Sequence, residues 1–213
     1  MTLHELKRLV SEGEHQQLEF KRKANHPERI VRELVAFANT DGGILLIGVD
    51  DDGGIYGTKT PEGDLHALEQ AIEQFVRPKI PVRSAYVRIN DRRKVLVISV
   101  KSSRRKPHFL LETQKKTAYV RVRDMSMRAS REMTEVLRPF RKGVKIVFGE
   151  PEKRILEHLN EAEAITLPEA QKVLSASRRK TAGLLIQLVR AGLLHIEPSE
   201  NEDVYTLASE AFS

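Results

Sequence analysis

The feature that most constrains this chain is a single change of hydrophobic rhythm near residue 150. Before it, helical spacing is interleaved with period-two and continuous apolar runs; after it come three short helical segments and one hairpin pattern. With 213 residues, 40% of them hydrophobic, the chain can bury a core in one or two domains, and the change of rhythm divides it into two.

In the first part, Thr2 heads a helical pattern of Leu3, Leu6, Leu9 and Val10 that stops at Gly13. Residues 16–21 alternate as a half-buried strand, and 27–39 form a second amphipathic helix opened by Pro27. The apolar run Ile44 to Val49, entered through Asp41-Gly42-Gly43, is too short for a helix and reads as a central strand; Asp50-Asp51-Asp52-Gly53-Gly54 then turns the chain. A third helix carries Leu65, Leu68, Ala71, Ile72 and Phe75, strands are expected near 84–89, 94–100 and 118–123, and a helix over 128–140 closes the domain. The expected fold is α+β, a mixed or antiparallel sheet core over 1–142, then a linker or packed connector at 143–150. Residues 151–213 predict a small winged helix: helices at 151–159, 167–174 and 177–191, then a hairpin of 193–196 with 204–207.

The formal charge of +6 is unevenly placed. Residues 1–76 hold 8 Lys+Arg against 14 Asp+Glu, residues 77–142 hold 20 against 5, and residues 143–213 hold 8 against 11. A surface so charged repels itself unless a polyanion neutralises it, which makes nucleic acid the expected partner. The residues expected to touch phosphates are Arg104, Arg105 and Lys106 on a loop, Lys115 and Lys116 at a hairpin turn, Arg121 and Arg123 on one strand face, and Arg178, Arg179 and Lys180 at the start of the recognition helix. With no Cys there are no disulfides, and no apolar run approaches the roughly 20 residues of a membrane span, so a cytoplasmic protein with no membrane partner is expected.

Glu14-x4-Glu19-Phe20-Lys21, Ala36-Phe37-Ala38-Asn39-Thr40-Asp41-Gly42-Gly43, Leu46-Ile47-Gly48-Val49-Asp50-Asp51 and the later Tyr119-Val120-Arg121-Val122 with Ser126 and Ala129 together resemble the Schlafen core, or AlbA_2, domain. The resemblance implies a three-carboxylate metal site in nuclease members, which maps to Glu14, Glu19 and Asp51; the spacing of Glu19 and Lys21 adds Lys21 beside it as the expected catalytic cation. The resemblance also implies Mg²⁺ or Mn²⁺, an endoribonuclease reaction, and a structured RNA such as tRNA as substrate. The residue chemistry is compatible: Glu19 and Lys21 share one strand face, where a divalent cation and an ammonium can meet one phosphate. Glu14 and Glu19, five apart, converge only if Glu14 sits in the turn before the strand, which Gly13 permits. ATP is not expected, because Gly42-Gly43 precedes a strand and no Gly-x4-Gly-Lys-Ser/Thr is present, and the seven histidines show no zinc spacing. The competing function is a non-catalytic DNA-binding transcriptional regulator. Against it stand Glu197, Glu200, Glu202 and Asp203, which make the wing acidic. Because the chain carries one lobe where Schlafens it resembles carry two, a homodimer is expected to restore a clamp.

Overall fold

The computed structural model describes residues 1–112, 115–139, 148–199 and 201–208. The chain divides into two compact units, Met1–Arg128 and Ala129–Ser213. The first begins with helix α1 (Leu3–Val10), strand β1 (Leu18–Lys21), α2 (Pro27–Asn39), β2 (Gly42–Ile47) and α3 (Pro61–Phe75). It continues with β3 (Val76–Arg77), β4 (Val82–Asn90), β5 (Arg93–Lys101), β6 (Phe109–Glu112), β7 (Lys115–Thr117), β8 (Tyr119–Val122) and β9 (Met125–Arg128).

Its main sheet has the order β1-β2-β5-β4, with β1 parallel to β2 and the other pairs antiparallel, so the expected mixed sheet is present. The two sheet faces bury different cores. On one, Leu45, Ile47, Leu96 and Ile98 pack with α2 and α3; on the other, Leu18, Phe20, Leu46, Val95 and Val97 pack with Leu6 and Val10 of α1. Alternation along β1 therefore sends Glu19 toward α2 and Phe20 toward α1. Helix α2 also packs on β8 and is buried along most of its length, which brings the polar Glu33 and Asn39 indoors among its apolar residues. Strands β3, β6 and β7 form a small antiparallel sheet and β8 with β9 a hairpin; of these only β8 was foreseen, because the others are short and lack a clean alternation.

The second unit holds α4 (Arg131–Leu137), α5 (Glu150–Glu161), β10 (Ile165–Thr166), α6 (Leu167–Leu174), α7 (Arg178–Arg190), β11 (Leu194–Glu197) and β12 (Val204–Leu207). Its core joins Ile155, Leu159, Ile165, Leu185, Leu188, Leu194 and Tyr205, with a three-stranded antiparallel sheet in the order β10-β12-β11. The helix expected over 128–140 is shorter, and it packs against α7 in this unit, where Arg178 donates to Glu132 at 3.1 Å. Phe140 and residues 143–147 of the expected connector lie outside the described residues. No helix among the described residues is long and apolar enough to cross a membrane.

Candidate nucleic-acid interface

Strand β1 lies at the sheet edge and carries Glu19, Phe20 and Lys21. Glu19 is buried, with its side chain 8% exposed. Its Oε2 accepts from Arg121 Nη1 at 2.9 Å, and its other oxygen pairs with the Lys21 ammonium. Arg121 is fully buried and divides its donors further: Nη1 also reaches Glu33 Oε2 at 3.1 Å, and Nη2 donates to the His15 carbonyl at 3.0 Å. Ser126 donates to Glu33, and the Arg121 guanidinium lies 5.0 Å from the centre of the Phe37 ring. Burial pushes the Glu19 carboxyl above the ordinary carboxylate range, the Glu33 charge adds to this, and Lys21 and Arg121 work against it. The result is a buried ion network that ties β1, α2 and β8 together.

This arrangement corrects two expectations. The alternation predicts Arg121 and Arg123 on one phosphate-facing strand side, but the Arg121 side chain packs on α2, where Glu19 and Glu33 neutralise it; of the two only Arg123, in the following turn with φ +58°, is exposed. The three carboxylates do not converge. Glu14 does sit in the turn before β1, yet its Oε1 accepts the Phe20 N–H at 2.7 Å, closing an outward-facing donor of the edge strand. Asp51 lies in the exposed turn after β2 and lines a cavity with Lys7, Val10 and Phe20, the α1 side of the sheet, whereas Glu19 faces α2. Among the described residues no group of three or more His, Cys, Asp or Glu side chains is placed to hold a metal ion. The donor set expected for Mg²⁺ or Mn²⁺ does not fit, since one carboxylate is engaged by two cations and another stands across the sheet. Lys21 does share a face with Glu19 as expected, but it pairs with that carboxylate.

The basic loop has a firmer base than its sequence suggests. Behind it, His108 is buried: Nδ1 meets the Pro78 carbonyl at 2.7 Å, Nε2 meets Ser103 Oγ at 2.6 Å, and the backbone N–H donates to Asn39 Oδ1 at 2.7 Å. A carbonyl only accepts, so Nδ1 carries the proton and Nε2 accepts from Ser103. Asn39 Nδ2 returns two bonds of 2.9 Å, to the His108 and Tyr119 carbonyls. Burial pushes the imidazole below its ordinary pKa, helped by the neighbouring Lys106. From this base Arg104 and Arg105 project into solvent, while Lys106 turns inward and donates to the Thr40 carbonyl at 2.6 Å, its own pKa lowered by burial. Lys115 and Lys116 are exposed on β7, with Lys116 Nζ 5.1 Å from the Phe109 ring centre. On α7, Arg178, Arg179 and Lys180 are all exposed, and Arg178 pairs with Glu132. In the sequence, Glu33 shows no role, Ser126 figures only as part of the family motif and His108 only as one of seven histidines without zinc spacing. An acid and a hydroxyl inside otherwise apolar or strand-forming stretches were the available signals for the first two.

Residues 14–130 match the family model described as Schlafen, AlbA_2. Two solved structures are also similar. The N-terminal domain of a RecG-related protein from Nitrosomonas europaea is 16% identical with a TM-score of 0.45, the match covering 70% of this chain and 96% of that one. The DIP2311 protein from Corynebacterium diphtheriae is 18% identical with a TM-score of 0.47, the match covering 83% of this chain and 32% of that one.

Proposed function

The chain belongs to the Schlafen AlbA_2 family, and from that premise we propose that it binds nucleic acid through the basic surface of its first unit without cleaving it at Glu14, Glu19 and Asp51. The observation that carries this reading is the outward projection of the basic segment: Arg83, Arg92, Lys101, Arg104, Arg105, Lys115 and Lys116 are all exposed, and Arg121 alone of the expected contacts is buried. Such side chains release counterions from a phosphate backbone and set register without reading sequence. RNA, including structured RNA such as tRNA, is the partner the family favours, and duplex DNA is the competitor. Endoribonuclease chemistry would need the three carboxylates on one edge, and their separation argues for binding.

In the second unit, the three helices α5, α6 and α7 followed by the β11–β12 hairpin we read as a winged helix. Its charge favours an accessory role over sequence reading: Glu197 and Glu202 are exposed on the wing, Glu200 lies outside the described residues, and Arg178 is occupied. A second copy of the chain would provide the opposing half of a clamp.

The test is a mobility-shift and cleavage assay with labelled tRNA and duplex DNA in Mg²⁺, Mn²⁺ or EDTA, comparing the wild type with Arg104→Ala/Arg105→Ala. Salt-sensitive binding of intact RNA, weakened by the double substitution, is expected. Products formed in Mg²⁺ or Mn²⁺ and absent in EDTA would restore the nuclease reading.

A further inference from the structure

We propose that a cationic cleft in the first unit, walled by Arg22, Lys23, Lys59 and Arg93, seats the phosphates of a single nucleotide chain; this rests on the nucleic-acid reading above and gives it a location away from the Arg104 loop. The cleft encloses about 470 Å³. That is the size range of pockets that engulf small ligands. A whole duplex, whose major groove alone is wide enough to take a helix, is too large to enter a space of this volume, whereas a segment of one strand can.

The cleft is built by backbone contact. Gly48 (φ +106°) and Gly57 (φ +66°) lie face to face, so a Cβ on Gly48 would come within 2.7 Å of Gly57 Cα. The N–H groups of Tyr56 and Gly57 donate to the Gly48 carbonyl at 2.9 and 2.8 Å. This lays residues 56–60 beside the end of β1, where Arg22 and Lys23 leave the strand. Two of the four cations are held in place from within: Arg93 Nη1 donates to the carbonyls of Tyr56 at 3.4 Å and Gly57 at 3.3 Å, and Arg22 sits between Asp50 and the Tyr56 ring, 4.0 Å from its centre. The other two, Lys23 and Lys59, are exposed, and neither makes an ion pair among the described residues.

Asp50 offsets Arg22, whereas Lys23, Lys59 and Arg93 have no ion pair among the described residues. The one carboxylate in the lining, Asp64, accepts from the Thr58 hydroxyl at 2.6 Å. Four cations gathered in one concavity repel one another, and that repulsion is relieved when an anion enters. A chain with a phosphate at every nucleotide fits the spread of the four better than a single small anion, because the cations come from three separate segments: the end of β1, the loop before α3 and the start of β5.

The experiment measures fluorescence anisotropy of a short labelled single strand with the full chain, across a salt series. It compares the wild type, K23A/K59A, and K7A/R8A, a charge-matched change at exposed positions of α1. Removing two single-strand phosphate contacts should lower the slope of log K against log salt by about 1.4 and weaken binding at low salt by about tenfold, while K7A/R8A stays within about twofold of wild type. Equal losses in the two variants, or an unchanged K23A/K59A beside a wild type that binds, overturn the cleft and leave the nucleic-acid reading standing. A wild type that binds neither the strand nor tRNA at low salt overturns both.

Discussion

Arg121 shows how much one side chain decides here. A guanidinium has five N–H donors in a rigid fork, and this one serves Glu19, Glu33 and the His15 carbonyl from a fully buried position. Its removal leaves two buried carboxylates facing each other. Arg121→Met is expected to cost about 3–5 kcal/mol, read as a lowered urea midpoint, whereas a loss below about 1 kcal/mol would mean the network is dispensable. His108 offers a pH test. Its folded-state pKa is depressed, so the neutral form is the one that stabilises; stability is complete above the unfolded value near 6.5 and declines as pH falls below it. The slope from one such group is at most about 1.4 kcal/mol per pH unit. The urea midpoint should therefore fall more between pH 7.5 and 6.0 in wild type than in His108→Gln, and parallel curves would remove His108 from the account. Glu19 and Asp203, whose pKa values burial raises, act with the opposite sign at lower pH.

At the scale of elements, close backbone approach and exposed helix surface make glycine matter in opposite ways. The Gly48–Gly57 contact leaves no space for a side chain and holds Gly48 at φ +106°. Gly48→Ala should cost at least about 1–3 kcal/mol, seen as a lower melting temperature. Gly183, inside α7, has no atom within 4 Å of an added Cβ. Gly183→Ala should raise stability by about 0.5–1 kcal/mol, because alanine loses less entropy in a helix. If both substitutions shift the melting temperature the same way, one of these two accounts is wrong. Strand β1 shows a third use of an element. Its open edge is closed by the Glu14 carboxylate on the Phe20 N–H and by Lys21 on the Phe20 carbonyl at 2.7 Å, which blunts it against pairing with another chain.

For the whole molecule the question is how so much positive charge is used. In the proposed binding, a field from the 77–142 segment would steer a polyanion from a distance and be screened within about 8–10 Å at ordinary salt. Two copies closing on one strand would concentrate that field, and like-charge repulsion would oppose them until nucleic acid is bound. Light scattering at moderate salt is expected to give a dimer mass with tRNA present. A single-chain mass both with and without tRNA would leave the proposed clamp unsupported.

Periodicity alone was enough to identify the central strand β2, the amphipathic helices α1 and α2 and the helices and hairpin after residue 150, because one-sided burial imprints its spacing on neighbouring residues. Charge counting likewise located the basic segment, and the motif order pointed to the family. Contacts between distant residues left no such imprint. Glu19 meets Arg121 across 102 positions and Glu33 meets it across 88, so whether these charges face solvent or one another depended on how α2 and β8 pack. The same is true of the cleft: Arg22, Lys23 and Lys59 lie in a stretch whose net charge is acidic, and a sum along the chain hides a cluster that forms only when three segments meet. Asp51 and Glu19 look like partners in the motif, but alternation along β1 turns Glu19 toward α2, while Asp51 leaves the sheet in the turn after β2 and lines a cavity on the α1 side, a placement that only the folded turn decides.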